Sequence, residues 1–398
     1  MPRTQFPLVA LTIALLGACR EPIAVPATPA GSQANVVKFW EAGATVAWNR
    51  TARDLIAKNR TVPQAAIRVL ALLTVAQYNA IIAAEDAAVD PLHPSDAAAV
   101  AGASAAVLTY LYPGEAAFLE TKVDEQQAEP GWPGNQNEDF AAGEAIGRDE
   151  AADVVARAQQ DRFFAPFTGT VPICPGCWLA VPTPPVFATL GQAETFFLTS
   201  GDQFRPPPPP AFGSPEFLAD LAEVRQISDT RTFVQDSIAK FWAMPTGTIT
   251  PQGYWNQVGS ELAVRYRLTE RETAHILALT NMAAFDAIIA SHEAKFYYWL
   301  IRPSQADPLI HLAIGLPSFP SYPSNHAAVS AASTTVLGAR FPSERVGLDA
   351  QADEAAISRI FGGIHYRFDC DAGLVLGRTI GRYVLDHDVV GHEPLVLR

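Results

Sequence analysis

The sequence has little charge, little cysteine and few runs of β-branched residues. Only 17% of its 398 residues are charged, and acids outnumber bases to give a formal net charge of -13. Bulk electrostatics therefore exclude nucleic acid or an anionic membrane surface as a partner, and any anion site must be a local island of positive charge. Four cysteines occur. Cys174 and Cys177 flank Pro-Gly in a Pro-rich loop rather than at a strand-to-helix junction, which excludes a thioredoxin-like site. No second CxxC and no paired His cluster completes a zinc site around them. An oxidising compartment leaves a local disulfide open to the pair. Cys370 is the odd thiol, expected to be buried and inert. The shortage of β-branched runs, with abundant alanine, points to helices. Beyond the N-terminus there is no clean membrane-spanning run. The nearest, 65–84, is interrupted by Arg68, Gln77 and Asn79 and reads as a core helix.

What is present begins with an apolar stretch, Phe6 to Ala18, too short to span a membrane. It ends in Leu16-Gly17-Ala18-Cys19, which resembles a lipobox. Residues 1–18 are expected to be a lipoprotein-type signal peptide, with Cys19 lipidated. Residues 19–34, rich in Pro and Ala, then read as a flexible tether. The expected location is the bacterial cell envelope, facing the periplasm. Arg20 rather than Asp after Cys19 favours the outer membrane.

Helical periodicity dominates the rest. Helices are expected at 35–58, 63–87, 95–111, 114–129 and 137–160, forming an N-terminal bundle over 35–161. A Pro-rich connection follows at 162–214. Helices resume at 215–228, 232–242, 252–266, 270–298, 325–340, 345–361 and 366–387, in a C-terminal bundle over 215–398. The fold class is all-α, two four-helix bundles. The halves look duplicated. Residues 96–107 parallel 325–336, Tyr78–Ala83 parallels Phe285–Ala290, and Gly143–Arg148 parallels Gly377–Arg382. Ala97 stands where the second half has His326, and Lys295 and Arg302 have no counterpart. The C-terminal half is therefore expected to hold the chemistry, with the other as scaffold.

Three blocks carry that chemistry. The first runs Lys295-Phe-Tyr-Tyr-Trp-Leu-Ile-Arg302-Pro303. Its two cations share a face if the helix persists, and Pro303 places the helix end at Arg302. Cations among bulky aromatics are costly to bury unless an anion joins them. The second runs Phe319-Pro-Ser-Tyr-Pro-Ser324-Asn325-His326. Ser324 is placed as an N-cap, and the free N–H groups after it make an anion site. His326 in the first turn can exchange a proton with a bound group. The third runs Ser358-Arg359-Ile-Phe-Gly362-Gly363-Ile-His365-Tyr-Arg-Phe-Asp369. Gly362-Gly363 breaks the helix so that Arg359 and His365 can face one pocket. Asp369, one turn after His365, can accept its second ring N–H and set the tautomer.

In this order the blocks resemble the vanadium haloperoxidase and type 2 phosphatidic acid phosphatase superfamily, with motifs K-x6-R-P, P-S-G-H and S-R-x5-H-x3-D. The first and third match at every specified position, and the second has Asn325 in place of Gly. The resemblance implies two helical bundles. It also implies an oxyanion held by Lys295, Arg302 and Arg359, with Ser324 and the backbone N–H of Asn325 adding hydrogen bonds. His365 would be the axial group, ligand to vanadium or nucleophile toward phosphorus. His326 would be the acid–base partner, and Asp369 would orient His365. The Asn325 side chain is expected either to crowd the pocket or to add a contact.

The resemblance favours the soluble haloperoxidases, with vanadate as cofactor and hydrogen peroxide and a halide as substrates. Phe319 sits where it would line a halide pocket. The alternatives are a cofactor-free acid phosphatase acting on a phosphoester through a phosphohistidine, and a non-enzymatic oxyanion-binding lipoprotein. His292 is a candidate for a supporting position one turn before Lys295. His311 reads as a surface loop residue, and His387 and His392 as solvated.

Overall fold

The computed structural model describes residues 43–89, 93–128, 139–180, 185–389 and 392–395. The expected signal peptide, the lipidation at Cys19, the tether and the first residues of the expected helix 35–58 lie outside them. Among the described residues there are thirteen α-helices and no strand, only isolated bridges.

The first bundle comprises α1 (Ala44–Lys58), α2 (Pro63–Asp86), α3 (Asp96–Leu111), α4 (Ala116–Ala128) and α5 (Phe140–Gln160). The described residues of the connection to the second bundle are irregular save for one 3-10 turn at Leu190–Gln192. The second comprises α6 (Pro215–Thr230), α7 (Phe233–Ala243), α8 (Thr250–Arg265), α9 (Glu270–Tyr298), α10 (Pro303–Ala306), α11 (Asn325–Arg340), α12 (Arg345–Phe361) and α13 (Arg367–Asp386). Helix ends follow local chemistry. Ser95, Asp139, Ser214, Thr232, Thr269 and Ser324 each accept a first-turn N–H as N-caps. The short helix α10 was not expected from the sequence. Its first residue is Pro303, whose missing N–H is harmless there.

The centre is built from α2 and α9, which pack on each other. Both are long and apolar enough to cross a membrane by length and composition, and both are almost wholly buried in protein. Hydropathy reading had singled out only the first. Arg68, the charge that interrupts it, is neutralised by Asp161 at 2.6 Å.

Each central helix supports a matching layer: α2 carries α3 and α5, and α9 carries α11 and α13. Glycine allows the outer pair to touch. A Cβ at Gly147 would lie 2.0 Å from the Ala99 carbonyl oxygen, and one at Gly377 2.1 Å from that of Ala328. Gly143 and Gly373 likewise meet Ser95 and Ser324. The true partner of Gly143 is thus Gly373, one turn upstream of the sequence pairing with Gly377. Glycine recurs every turn at 373, 377 and 381, so the pattern alone cannot choose the register. Backbone pairing agrees, since Ser95 N–H donates to Asp139 O as Ser324 N–H donates to Asp369 O. The α2/α9 match sets Asn79 against Asp286. Asn79 pins the backbone of Leu395, and Asp286, seven residues after α9's own Leu279, pins the N–H groups of Phe196, Phe197 and Leu198.

Candidate functional site

Lys295 lies in the last turn of α9 and is fully buried. The helix stops at Tyr298 because Trp299 turns left-handed at φ 52, so it does not persist to Arg302 as expected. A bend, not a shared helical face, brings the two cations together. Their charged ends lie 5.4 and 5.2 Å from the Phe319 ring centroid. The Cys174–Cys177 turn braces this bend, and its two cysteines are joined as a disulfide. Gly176 O accepts from Ile301 N at 2.9 Å, and Trp178 N donates to Trp299 O at 2.7 Å.

Lys295 Nζ donates to the carbonyls of Pro320 at 3.2 Å, Ser321 at 2.6 Å and Pro323. Three acceptors match the three protons of an ammonium. Arg302 donates from Nε to Phe319 O at 3.0 Å and from Nη1 to Ile364 O at 2.8 Å. Nη1 also reaches Nε2 of His365 at 3.0 Å. Its Nη2 is buried without a partner among the described residues.

Gly363, at φ 79, ends the path from α12 and lets the chain double back before α13. His365 and Arg359 are thereby brought close enough for the guanidinium charge to act on the ring, as the glycine doublet implied. His365 Nδ1 lies 2.8 Å from Asp369 Oδ2. Arginine only donates, so Nε2 carries the lone pair and Nδ1 the proton. Oδ2 of Asp369 also accepts from Ser321 Oγ at 2.5 Å and Tyr366 N at 3.1 Å. Ser321 was not singled out in the sequence, although it lies inside the second block.

Arg359 and His326 hang on the C-terminal end of α7. Arg359 donates to Ala239 O at 3.2 Å and to Ser358 Oγ at 2.9 Å. His326, half-buried, donates from Nε2 to Trp242 O at 2.9 Å. Its Nδ1 is thereby left as an acceptor. Sequence reading could not find α7's contribution, because nothing in Ala239 or Trp242 signals a carbonyl partner far along the chain. Ser324 caps α11 as expected. Asn325 turns its side chain to Ser291 and His292. His311, His387 and His392 are exposed, and Cys370 is buried with its thiol on Ala356 O.

The electrostatics follow from burial. Desolvation, then Arg302 and Lys295, push His365 well below the usual imidazole range. Desolvation and Arg359 do the same to His326. Burial raises Asp369 to about 6, against the pull of Ser321, Lys295 and Arg302. Burial lowers Arg302 to about 10 and Arg359 to about 9. His292 is pushed down to about 3 by burial, then by Lys295. Its folded value lies below the ordinary one, so the unfolded chain takes up a proton near pH ~6.5 that the folded chain refuses. The stability contributed by the neutral ring is complete above that pH and is lost as pH falls toward 3. Thermal melts of His292→Gln should therefore show a shallower fall in Tm between about pH 6.5 and 4. A slope equal to wild type would mean that the ring titrates freely.

Three cations and one carboxylate are buried here, the carboxylate acted on by Lys295 and Arg302, and one guanidinium nitrogen has no acceptor among the described residues. Such excess charge is expensive to bury without an anion. The Nε2 lone pair of His365, which here accepts from Arg302, is the one axial electron-pair donor beside these N–H groups. This donor set fits a tetrahedral or trigonal-bipyramidal oxyanion, phosphate or vanadate alike.

The sequence profile of the PAP2 superfamily matches residues 274–387, which hold all three blocks. A non-specific acid phosphatase of Providencia stuartii is 30% identical over 178 residues, 43% of this chain and 68% of its own. The chain belongs to the PAP2 superfamily. A second relative, a decaprenylphosphoryl-5-phosphoribose phosphatase of Mycobacterium tuberculosis, is 32% identical over 107 residues. That match spans 26% of this chain and 58% of the relative. Among solved structures, the first bacterial vanadium-dependent iodoperoxidase superposes with a TM-score of 0.74 at 25% identity, covering 86% of this chain and 95% of its own. A PAP2 site of this kind belongs to an enzyme, phosphatase or haloperoxidase.

Proposed function

We propose that this PAP2 protein is a vanadate-dependent haloperoxidase, oxidising a halide with hydrogen peroxide. The observation that carries this reading is the extent of likeness to the iodoperoxidase, 86% of this chain. The two phosphatases are similar in sequence over 43% and 26% of the chain, which is a different measure from a superposition. When bound, vanadate would supply the oxidising chemistry, activating peroxide toward the halide. His365 would hold it through Nε2, with Asp369 keeping the proton on Nδ1. Arg302, Lys295 and Arg359 would spread its negative charge, and the Ser324 hydroxyl and Asn325 N–H would add hydrogen bonds. His326 would take a proton at Nδ1. Its Nε2–H is held by Trp242 O, and its depressed pKa keeps the ring neutral and able to accept. Phe319, beside two of the cations, would line the halide side.

The acid phosphatase relative favours a second reading. There His365 Nε2 attacks phosphorus, a P–N bond forms as the ester P–O bond breaks, and the leaving oxygen takes a proton from His326. That step needs His326 cationic, against its burial and Arg359, and so confines phosphatase turnover to acid pH.

The test is bromide and iodide oxidation by purified protein with hydrogen peroxide, with and without orthovanadate. Vanadate-dependent halogenation of a phenolic dye is the expected result. No halogenation, with orthovanadate instead inhibiting phosphoester cleavage by the same sample, would move the protein to the second reading.

A further inference from the structure

Asn325 stands where the superfamily motif has Gly, and its side chain points back toward α9. Oδ1 accepts the Ser291 hydroxyl at 2.6 Å, and Nδ2 meets Nε2 of His292 at 3.0 Å. His292 Nδ1 lies 3.2 Å from Phe187 O. A carbonyl only accepts, so the proton sits on Nδ1 and the lone pair on Nε2. That lone pair in turn requires the amide to present its nitrogen, which leaves the amide oxygen to Ser291. The network therefore has one consistent set of donors. Ser291 and His292 are fully buried, and Asn325 is 8% exposed. The His292 ring sits 5.2 Å from that of Phe319 and 6.1 Å from that of Phe296. Neither Ser291 nor His292 touches the reacting groups, and neither belongs to the three motif blocks.

An unrestrained Asn at the start of α11 could swing its amide oxygen toward the pocket, where it would repel an oxyanion. We propose that Ser291 and His292 are positioning residues that clamp Asn325. They hold its amide out of the oxyanion pocket and tie the first turn of α11 to α9, next to Lys295. The chain can then carry Asn at this position and still use the backbone N–H there. This inference rests on the oxyanion reading of the site.

The clamp acts through Asn325, so its effect must vanish when Asn325 is absent. The experiment measures orthovanadate dissociation constants by isothermal titration calorimetry for wild type, His292→Ala, Ser291→Ala, Asn325→Gly and the two double variants. His292→Ala is expected to weaken binding about tenfold, within the range for groups that orient a ligand's own ligands. Ser291→Ala is expected to weaken it by about threefold to tenfold. In the Asn325→Gly background each should change it by less than about twofold. His292→Gln, which can both accept and donate, should restore most of the affinity. Equal losses in both backgrounds would overturn the clamp, because His292 and Ser291 would then act through packing or Lys295. So would single variants that bind like wild type. If His292→Ala loses its cooperative melt, the smaller Ser291→Ala change decides the same question. A wild-type protein that binds no orthovanadate would overturn the oxyanion reading and the clamp with it. Normal wild-type binding with additive losses would overturn the clamp alone.

Discussion

His365→Ala is expected to reduce turnover by on the order of a thousandfold or more, whether halide oxidation or phosphoester cleavage is assayed. The reason is the single lone pair at Nε2. Asp369 holds the opposite nitrogen as N–H at 2.8 Å, so the ring cannot switch tautomer without breaking that bond. Arg302 Nη1 already points at Nε2 from 3.0 Å, marking where an incoming oxyanion would meet both groups. His292, also buried near Lys295, turns its lone pair away to the Asn325 amide, whereas that of His365 meets Arg302. Orthovanadate binding should weaken along with turnover while the thermal melt stays cooperative. Turnover near the wild-type rate in a folded variant would show that the axial role is wrong.

The second large effect is expected at Arg302. Arg302→Met should weaken orthovanadate binding by on the order of a hundredfold, equivalent to about 2.7 kcal/mol. Arg302 is fully buried, and its Nη2 has no acceptor among the described residues. Its other nitrogens engage Phe319 O, Ile364 O and His365, so the fork is already oriented before any ligand arrives. Arg302→Lys keeps the charge but not the fork, and should still lose about tenfold. The loss should persist in ~0.5 M salt, because screening reaches buried charges poorly. Titration calorimetry of both variants at low and high salt checks this. Affinity within about threefold of wild type for Arg302→Met would remove Arg302 from the oxyanion site.

Much of the site was legible because its chemistry is local in sequence. His365 and Asp369 lie one turn apart, the Ser324 cap is read from one residue and its neighbours, and Gly362-Gly363 announces the break between Arg359 and His365. The Lys295–Arg302 relation was legible in spacing but not in geometry, because a left-handed Trp299, unusual for a bulky residue, ends the helix early. Two carbonyls of α7 that hold Arg359 and His326 had no signal at all, since every residue carries a carbonyl. Asn325 was visible as a departure from the motif, but the direction of its side chain depended on Ser291 and His292.

The helices follow the same division. Alanine content, N-cap residues and apolar periodicity determined the all-α class and most boundaries without reference to partners, because those signals act within a turn or two of chain. The register between α3 and α5, and between α11 and α13, was decided only by packing. Glycines spaced one turn apart look equivalent along the sequence, and only contact with the Ser95, Ala99, Ser324 and Ala328 carbonyls distinguishes them. The sequence by itself determined which residues could bind an oxyanion. The tertiary structure decided that Lys295, Arg302 and Arg359 are all buried around His365, because burial turns three ordinary cations into a site that favours an anion.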